Sequence, residues 1–334
     1  MSDLERALIP ISDYRVYGGP DNGLMQITPA KHPEAIEVYN KMRNDNWHEN
    51  EVDMSMDVAS WHTMTDAEKT AYRRALAFLS NLDGMQLNNL NIVGRYCTSP
   101  WYKMALARQV YDESLHVMTY SLMIETMGFD AVETYNMFIT DDLLFEKNQF
   151  VKTMNTLVNG DTSAEGFALA CVANQALEGI QFQSGFLVFY ALSEAGKAHG
   201  SAKQVKFIHR DEQNHLRVFF NMYLAHKAER PEIFTPELEE KAREILRTTA
   251  EMEIKWGKSL IEGGIMGLSE QVIEGYVKYL TDYFAEGLGL GLIFGTDAPT
   301  PNPCEWVEER MQEFGIDTNF FEDKEDSYDN GSEW

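Results

Sequence analysis

Between positions 111 and 120 the chain reads Tyr-Asp-Glu-Ser-Leu-His-Val-Met-Thr-Tyr, which sets a carboxylate, an imidazole and a phenol at Glu113, His116 and Tyr120. On a helix these three share one stripe, because side chains three and four positions apart are neighbours. The same acid-to-His step recurs at Glu212 and His215. The step alone is weak evidence: with 53 acids in 334 residues, a His has an acid three places before it about one time in six by chance. Asp45 and His48 repeat it too. Context separates the other two pairs, which lie mid-helix beside Leu115 and Val117 or Leu216 and Val218. Glu178 follows ten residues that carry no charge, Ala168 to Leu177, and Asp83 follows Leu76, Leu79 and Leu82. A carboxylate on such a face is costly to bury unless it is paired or metal-bound. Taken singly, each is an ordinary salt-bridged acid or satisfied core histidine. Taken together, four acids and two imidazoles suit two cations. Carboxylates bridge hard ions and cancel their charge, and imidazole suits iron and manganese.

Tyr120 stands one turn beyond His116, where a phenol can be oxidised by such a centre. Phe182 and Phe186 continue the Glu178 stripe at four-residue steps. With Ile208 they would shield an oxidised phenol from water.

These residues need long helices. Thr65 with Glu68 forms a capping box, which predicts a helix from there to about 96. Pro100 opens the next, which ends at Gly128. Further helices are expected over 130–140, 141–158, 163–194, 201–228, 236–262 and 269–287, with a short one at 33–44. No stretch has the two-residue period of a strand. Carboxylates and Glu-x-x-His pairs pointing inward from four helices are the arrangement of ferritin-like dimetal bundles. The expected fold is therefore all-α: a ferritin-like helical bundle with extra helices over 1–295, residues 1–60 being an irregular arm. A flexible tail is expected over 296–334, where three prolines precede an acidic run.

The chain carries 53 acids against 28 bases, a formal charge of −25, which repels a phosphate backbone and argues against nucleic-acid binding. Three scattered cysteines offer no disulfide framework. The first residues lack a signal-peptide pattern, and the apolar run 288–294 is too short to span a bilayer. These features lead us to expect a cytoplasmic protein that does not enter a membrane.

From about Trp47 to its end the chain closely resembles the radical-generating small (β) subunit of class I ribonucleotide reductase. The resemblance rests on Asp83, Glu113-x-x-His116-x-x-x-Tyr120, Glu178-x-x-x-Phe182-x-x-x-Phe186 and Ile208-His209-Arg210-Asp211-Glu212-x-x-His215. It implies one metal at Asp83, Glu113 and His116 and another at Glu178, Glu212 and His215, with Glu113 and Glu212 as bridges. Iron is the first expectation and manganese the second, activated by oxygen or by superoxide from a flavodoxin-like activase. It also implies a stable radical at Tyr120, passed to a separate catalytic α subunit that reduces ribonucleotides. Trp47, Asp211 and Tyr328 would carry the transfer, the tail would dock on α, and the chain would form a homodimer. Two other readings compete: a dimetal monooxygenase or desaturase acting on a small apolar substrate, and a ferritin-like metal store. The store has no use for Trp47 or Tyr120.

Overall fold

The computed structural model describes residues 8–155 and 161–312. Every element named below is helical. Thr65 Oγ1 accepts from Glu68 N at 3.2 Å and the Glu68 carboxylate accepts from Thr65 N at 2.7 Å, so the capping box opens its helix as expected. In chain order the helices are α1 (Pro33–Asn44), α2 (Ser55–Trp61), α3 (Asp66–Tyr96), α4 (Pro100–Thr126), α5 (Ala131–Thr140) and α6 (Asp142–Asn155). They continue with α7 (Ala164–Ala176), α8 (Gln183–Glu194), α9 (His199–Glu229), α10 (Pro236–Leu260), α11 (Glu270–Gly287) and α12 (Glu305–Gln312). Among the described residues no helix is long and apolar enough to cross a membrane.

The bundle is built on α3, which packs along α4 and α8, and on α9, which packs against α4, α7 and α8. Its interior falls into two apolar clusters. One holds Leu76, Leu79, Tyr120, Phe182, Phe186 and Ile208. The other holds Leu90, Trp101, Phe167, Leu216 and Phe219. Asp83, the Glu113–His116 turn, Glu178 and the Glu212–His215 turn each sit where their strand of chain leaves one cluster and enters the other. A polar layer is thus sandwiched between two dry ones, and truncating a large core side chain in either would cost about 2–5 kcal/mol.

Three features depart from the sequence expectation. The helix expected over 163–194 is broken by a π-helical turn, Leu177–Gln181, which separates α7 from α8. Such turns leave backbone groups without their usual partners. Here Lys147 Nζ donates to Gln181 O at 3.0 Å, and the Glu253 carboxylate accepts from Ser184 N at 3.0 Å. Lys147 and Glu253 also pair directly, and both are fully buried. Second, the arm contains α2, whose buried Asp57 accepts from Gly200 N, Ser201 N and Ser201 Oγ at 2.8, 2.6 and 2.6 Å. That carboxylate caps the first turn of α9 from another element. Third, residues 296–312, expected to belong to the flexible tail, are packed. Asp282 accepts from the backbone N–H of Ile293, Phe294, Gly295 and Thr300 at 2.8–3.0 Å, and α12 buries Val307 and Met311. The prolines mark turns that fold this segment back onto α11, whose Tyr279 donates to Glu308 at 2.9 Å.

Candidate metal centre

Asp83 comes from α3, Glu113 and His116 from α4, Glu178 from the π turn, and Glu212 and His215 from α9, all with no exposed surface. Their ligand atoms form two groups in which all members lie within 4.8 Å of one another. One is Asp83, Glu113, His116 and Glu212; the other is Glu113, Glu178, Glu212 and His215. Glu113 and Glu212 belong to both. The six residues singled out from the sequence are therefore brought together.

On one side His116 Nδ1 faces Glu212 at 3.2 Å and Asp83 and Glu113 at 3.6 Å each. Its Nε2 meets Asp211 Oδ2 at 3.2 Å, and Trp47 Nε1 donates to the same oxygen at 2.7 Å. Trp47, Asp211 and His116 thus form one hydrogen-bonded line, with the indole nearly parallel to the imidazole at 6.5 Å. On the other side His215 Nδ1 faces Glu212 at 3.0 Å and Glu113 at 3.4 Å, and its Nε2 lies 3.5 Å from Asp112. Asp112 in turn pairs with Arg108 at 2.6 Å. Glu178 accepts from Gln109 Nε2 at 2.8 Å, from Gln86 Nε2 at 2.5 Å and from Asn174 Nδ2 at 2.9 Å.

The electrostatics fit a pair of cations. Among the described residues, both oxygens of Asp83 and of Glu113, with Glu212 Oε1 and His116 Nδ1, are buried without a hydrogen-bond partner, a costly state in a low-dielectric interior. Burial, then Glu113, pushes the Asp83 carboxyl well up. Burial, then Glu212, does the same to Glu178. Burial works against the charge of Glu113 too, but the adjacent imidazoles of His116 and His215, 3.6 and 3.4 Å away, outweigh it and hold that carboxyl at about 2. Burial also opposes charging of the imidazoles. Asp211 and the two shared glutamates overcome it at His116, and Glu212 with Asp112 overcomes it at His215, so both are raised well above the usual range. In this state protons do the charge-balancing that two divalent cations would do against four carboxylates.

Tyr120 Oη is buried with no hydrogen-bond partner. Burial, then the charges of Asp83, Glu212 and Glu113, holds the phenol neutral far above its ordinary range. Phe182 and Phe186 stack at 5.5 Å between centroids, and Ile208 is fully buried beside them in the same cluster. Tyr328 lies outside the described residues.

The chain matches the family described as "Ribonucleotide reductase, small chain" over residues 24–303. The chain belongs to that family. It is 31% identical over 322 residues to the Treponema pallidum ribonucleoside-diphosphate reductase subunit beta, spanning 96% of this chain and 92% of the relative. The Chlamydia pneumoniae subunit beta is 28% identical over 315 residues, spanning 91% and 89%. Among solved structures, the ribonucleotide reductase R2 subunit from Clostridium botulinum superposes with a TM-score of 0.85 at 31% identity, covering 89% of this chain and 94% of that one. The protein is thus an oxidoreductase component, a ribonucleotide reductase small chain of all-α, ferritin-like build.

Several residues of this small chain escape a reading of the sequence alone. Asp112 is buried, touches His215 and pairs with Arg108. Its position next to Glu113 was the available signal. Gln86, Gln109 and Asn174 are uncharged, so nothing marks them as the donors that hold Glu178. The Lys147–Glu253 pair is 106 residues apart and has no local signature.

Proposed function

We propose that Asp83, Glu113, His116, Glu178, Glu212 and His215 hold two iron or manganese ions, bridged by Glu113 and Glu212, and that Tyr120 stores the radical used in ribonucleotide reduction. When bound, the ion pair supplies a one-electron oxidant, generated with oxygen or with superoxide from a flavodoxin-like activase. Tyr120 would give up one electron to that oxidant, and its phenolic proton would go to the oxygen or superoxide being reduced. Phe182, Phe186 and Ile208 keep water and reductants from the ring. Asp211 accepts from Trp47 and orients His116 through Nε2, as carboxylates behind a metal-binding imidazole do. The line Trp47–Asp211–His116 then connects the centre toward the outside. Tyr328 continues the path into a catalytic α subunit on which the C-terminal tail docks, and the small chain acts as a homodimer in the cytoplasm.

The observation that carries this reading is a buried phenol with an unpartnered oxygen beside two ligand groups that share two glutamates. The test loads the metal-free chain with iron(II) or manganese(II) and adds the oxidant. Two ions per chain and a tyrosyl paramagnetic resonance signal are expected, and Tyr120→Phe removes the Tyr120 component of that signal together with reductase activity in the presence of α. Full activity in Tyr120→Phe would overturn the radical-storage role. Oxidation of a hydrocarbon by the chain alone would favour the monooxygenase reading.

A further inference from the structure

Tyr120 is not the only phenol buried against the radical pocket. Tyr190, one turn beyond Phe186 on α8, is 4% exposed, and its Oη lies 3.0 Å from Nδ1 of His209 on α9. Phe186 packs on the same imidazole at 5.1 Å, so His209 and Tyr190 abut the pocket rather than a remote part of the core. Tyr190 and Tyr120 belong to the same buried apolar cluster.

The two phenols differ in what surrounds the oxygen. Among the described residues Tyr120 Oη has no hydrogen-bond partner, whereas Tyr190 Oη has an imidazole. Burial keeps His209 uncharged near neutral pH, pulling it down to about 4, so one ring nitrogen carries a lone pair. The Gln213 amide nitrogen lies 3.3 Å from His209 Nε2, an arrangement in which Nε2 accepts, and a half-turn of the amide puts its oxygen there instead, to accept from Nε2–H. His209 can therefore present Nδ1 as the acceptor, with Nε2–H held by Gln213. Removing an electron from a phenol makes it a strong acid, so oxidation is favoured where a base is already hydrogen-bonded to the hydroxyl. Tyr190 Oη also touches Met311 Sδ at 3.8 Å, which fixes the hydroxyl between α9 and α12.

We infer that Tyr190 and His209 form a second redox-active tyrosine site, one that receives the oxidising equivalent when Tyr120 does not hold it. The step balances. Tyr190 loses one electron to the oxidised metal centre, which is reduced by one electron. Its phenolic proton moves from Oη to His209 Nδ1, leaving a neutral phenoxyl radical beside an imidazolium.

The inference rests on the oxidising centre described above, so its test has one arm that uses the centre and one that does not. In the first, metal-loaded Tyr120→Phe is treated with oxidant in protein carrying deuterated tyrosine and read by high-field paramagnetic resonance. A second tyrosyl signal is expected, with the g-shift of a hydrogen-bonded phenoxyl. It is lost in Tyr120→Phe/Tyr190→Phe, and it loses that shift and decays faster in Tyr120→Phe/His209→Phe. A signal that survives Tyr190→Phe overturns the assignment. So does its absence from Tyr120→Phe that binds both metals and consumes oxidant. In the second arm the metal-free Tyr120→Phe chain is oxidised by azidyl radicals in pulse radiolysis. Tyr190→Phe should remove the long-lived phenoxyl absorbance, and an unchanged yield and lifetime would overturn the proposal. If the wild-type chain gives no radical with either metal, the role of Tyr120 falls while this arm still decides Tyr190.

Discussion

The two halves of the centre use one ligand chemistry and surround it differently. Behind His116 stand Asp211 and then Trp47, an oxidisable ring. Behind His215 stand Asp112 and then Arg108, a cation that neither gives nor takes an electron. On the first side Asp83 has no hydrogen-bond partner at either oxygen, while on the second Glu178 is held by three amides on a π turn braced by Lys147 and Glu253. On the proposed reading, the difference teaches that like sets of carboxylates and an imidazole can be given unlike duties by the layer behind them. In the proposed function one half would serve electron traffic and the other would hold position.

The harshest way to erase the contrast is to remove what the halves share. Glu113→Ala takes a member from both ligand groups, and both ions and all radical should be lost, as read by metal analysis and paramagnetic resonance. Next comes a pair of substitutions that should separate the halves. Trp47→Phe deletes the indole N–H that meets Asp211, so reductase activity with α should fall to background while metal content and the Tyr120 signal persist. Arg108→Leu, its counterpart on the other side, should leave transfer intact. Equal loss of activity in both variants would dissolve the distinction.

The holding side can be stressed without touching a ligand. Lys147→Met strands Glu253 as an unpaired buried charge, which should cost about 3–5 kcal/mol in urea unfolding. The double variant Lys147→Met/Glu253→Met should recover part of that, because no unpaired charge remains, while Gln181 O and Ser184 N lose the partners that brace the π turn. Smaller still is Asp112→Asn, which weakens orientation of His215. A loss of about 10–100-fold in affinity for one of the two ions is expected by metal titration, with the other unaffected.

The same contrast explains what the sequence discloses. Glu113, His116, Glu212 and His215 are legible because a ligand pair on one helix has a fixed spacing, and Glu178 because an acid in an uncharged run demands a partner. Their neighbours are illegible for a physical reason. Gln86, Gln109 and Asn174 work through hydrogen bonds that cost nothing when exposed, so polarity alone does not mark them. The π turn depends on Lys147 and Glu253 arriving from α6 and α10, and a purely local pattern reads 163–194 as one helix. Asp282, which gathers residues 293–300, lies on a different element from the segment it secures, so that segment reads as the start of a tail.

The weakest lever acts on both halves alike. His116 and His215 are held charged above the usual value of 6.5, despite burial, by the carboxylates around them. In the metal-free chain their ion pairs therefore stabilise the fold fully below about 6.5, and that stability fades as pH rises through the raised values. Each ion must displace the proton on its imidazole, so uptake strengthens with pH over the same window, by up to about tenfold per pH unit for each proton released. Titrating iron(II) or manganese(II) anaerobically at stepped pH, with proton release followed by an indicator dye, measures both quantities. Equal slopes for the two ions are expected, since each half carries one such imidazole. A pH-independent affinity with no proton release would show that neither the imidazoles nor the carboxylates of the metal-free centre hold protons. A steeper slope at one ion would show that the halves differ at the ligands as well as behind them.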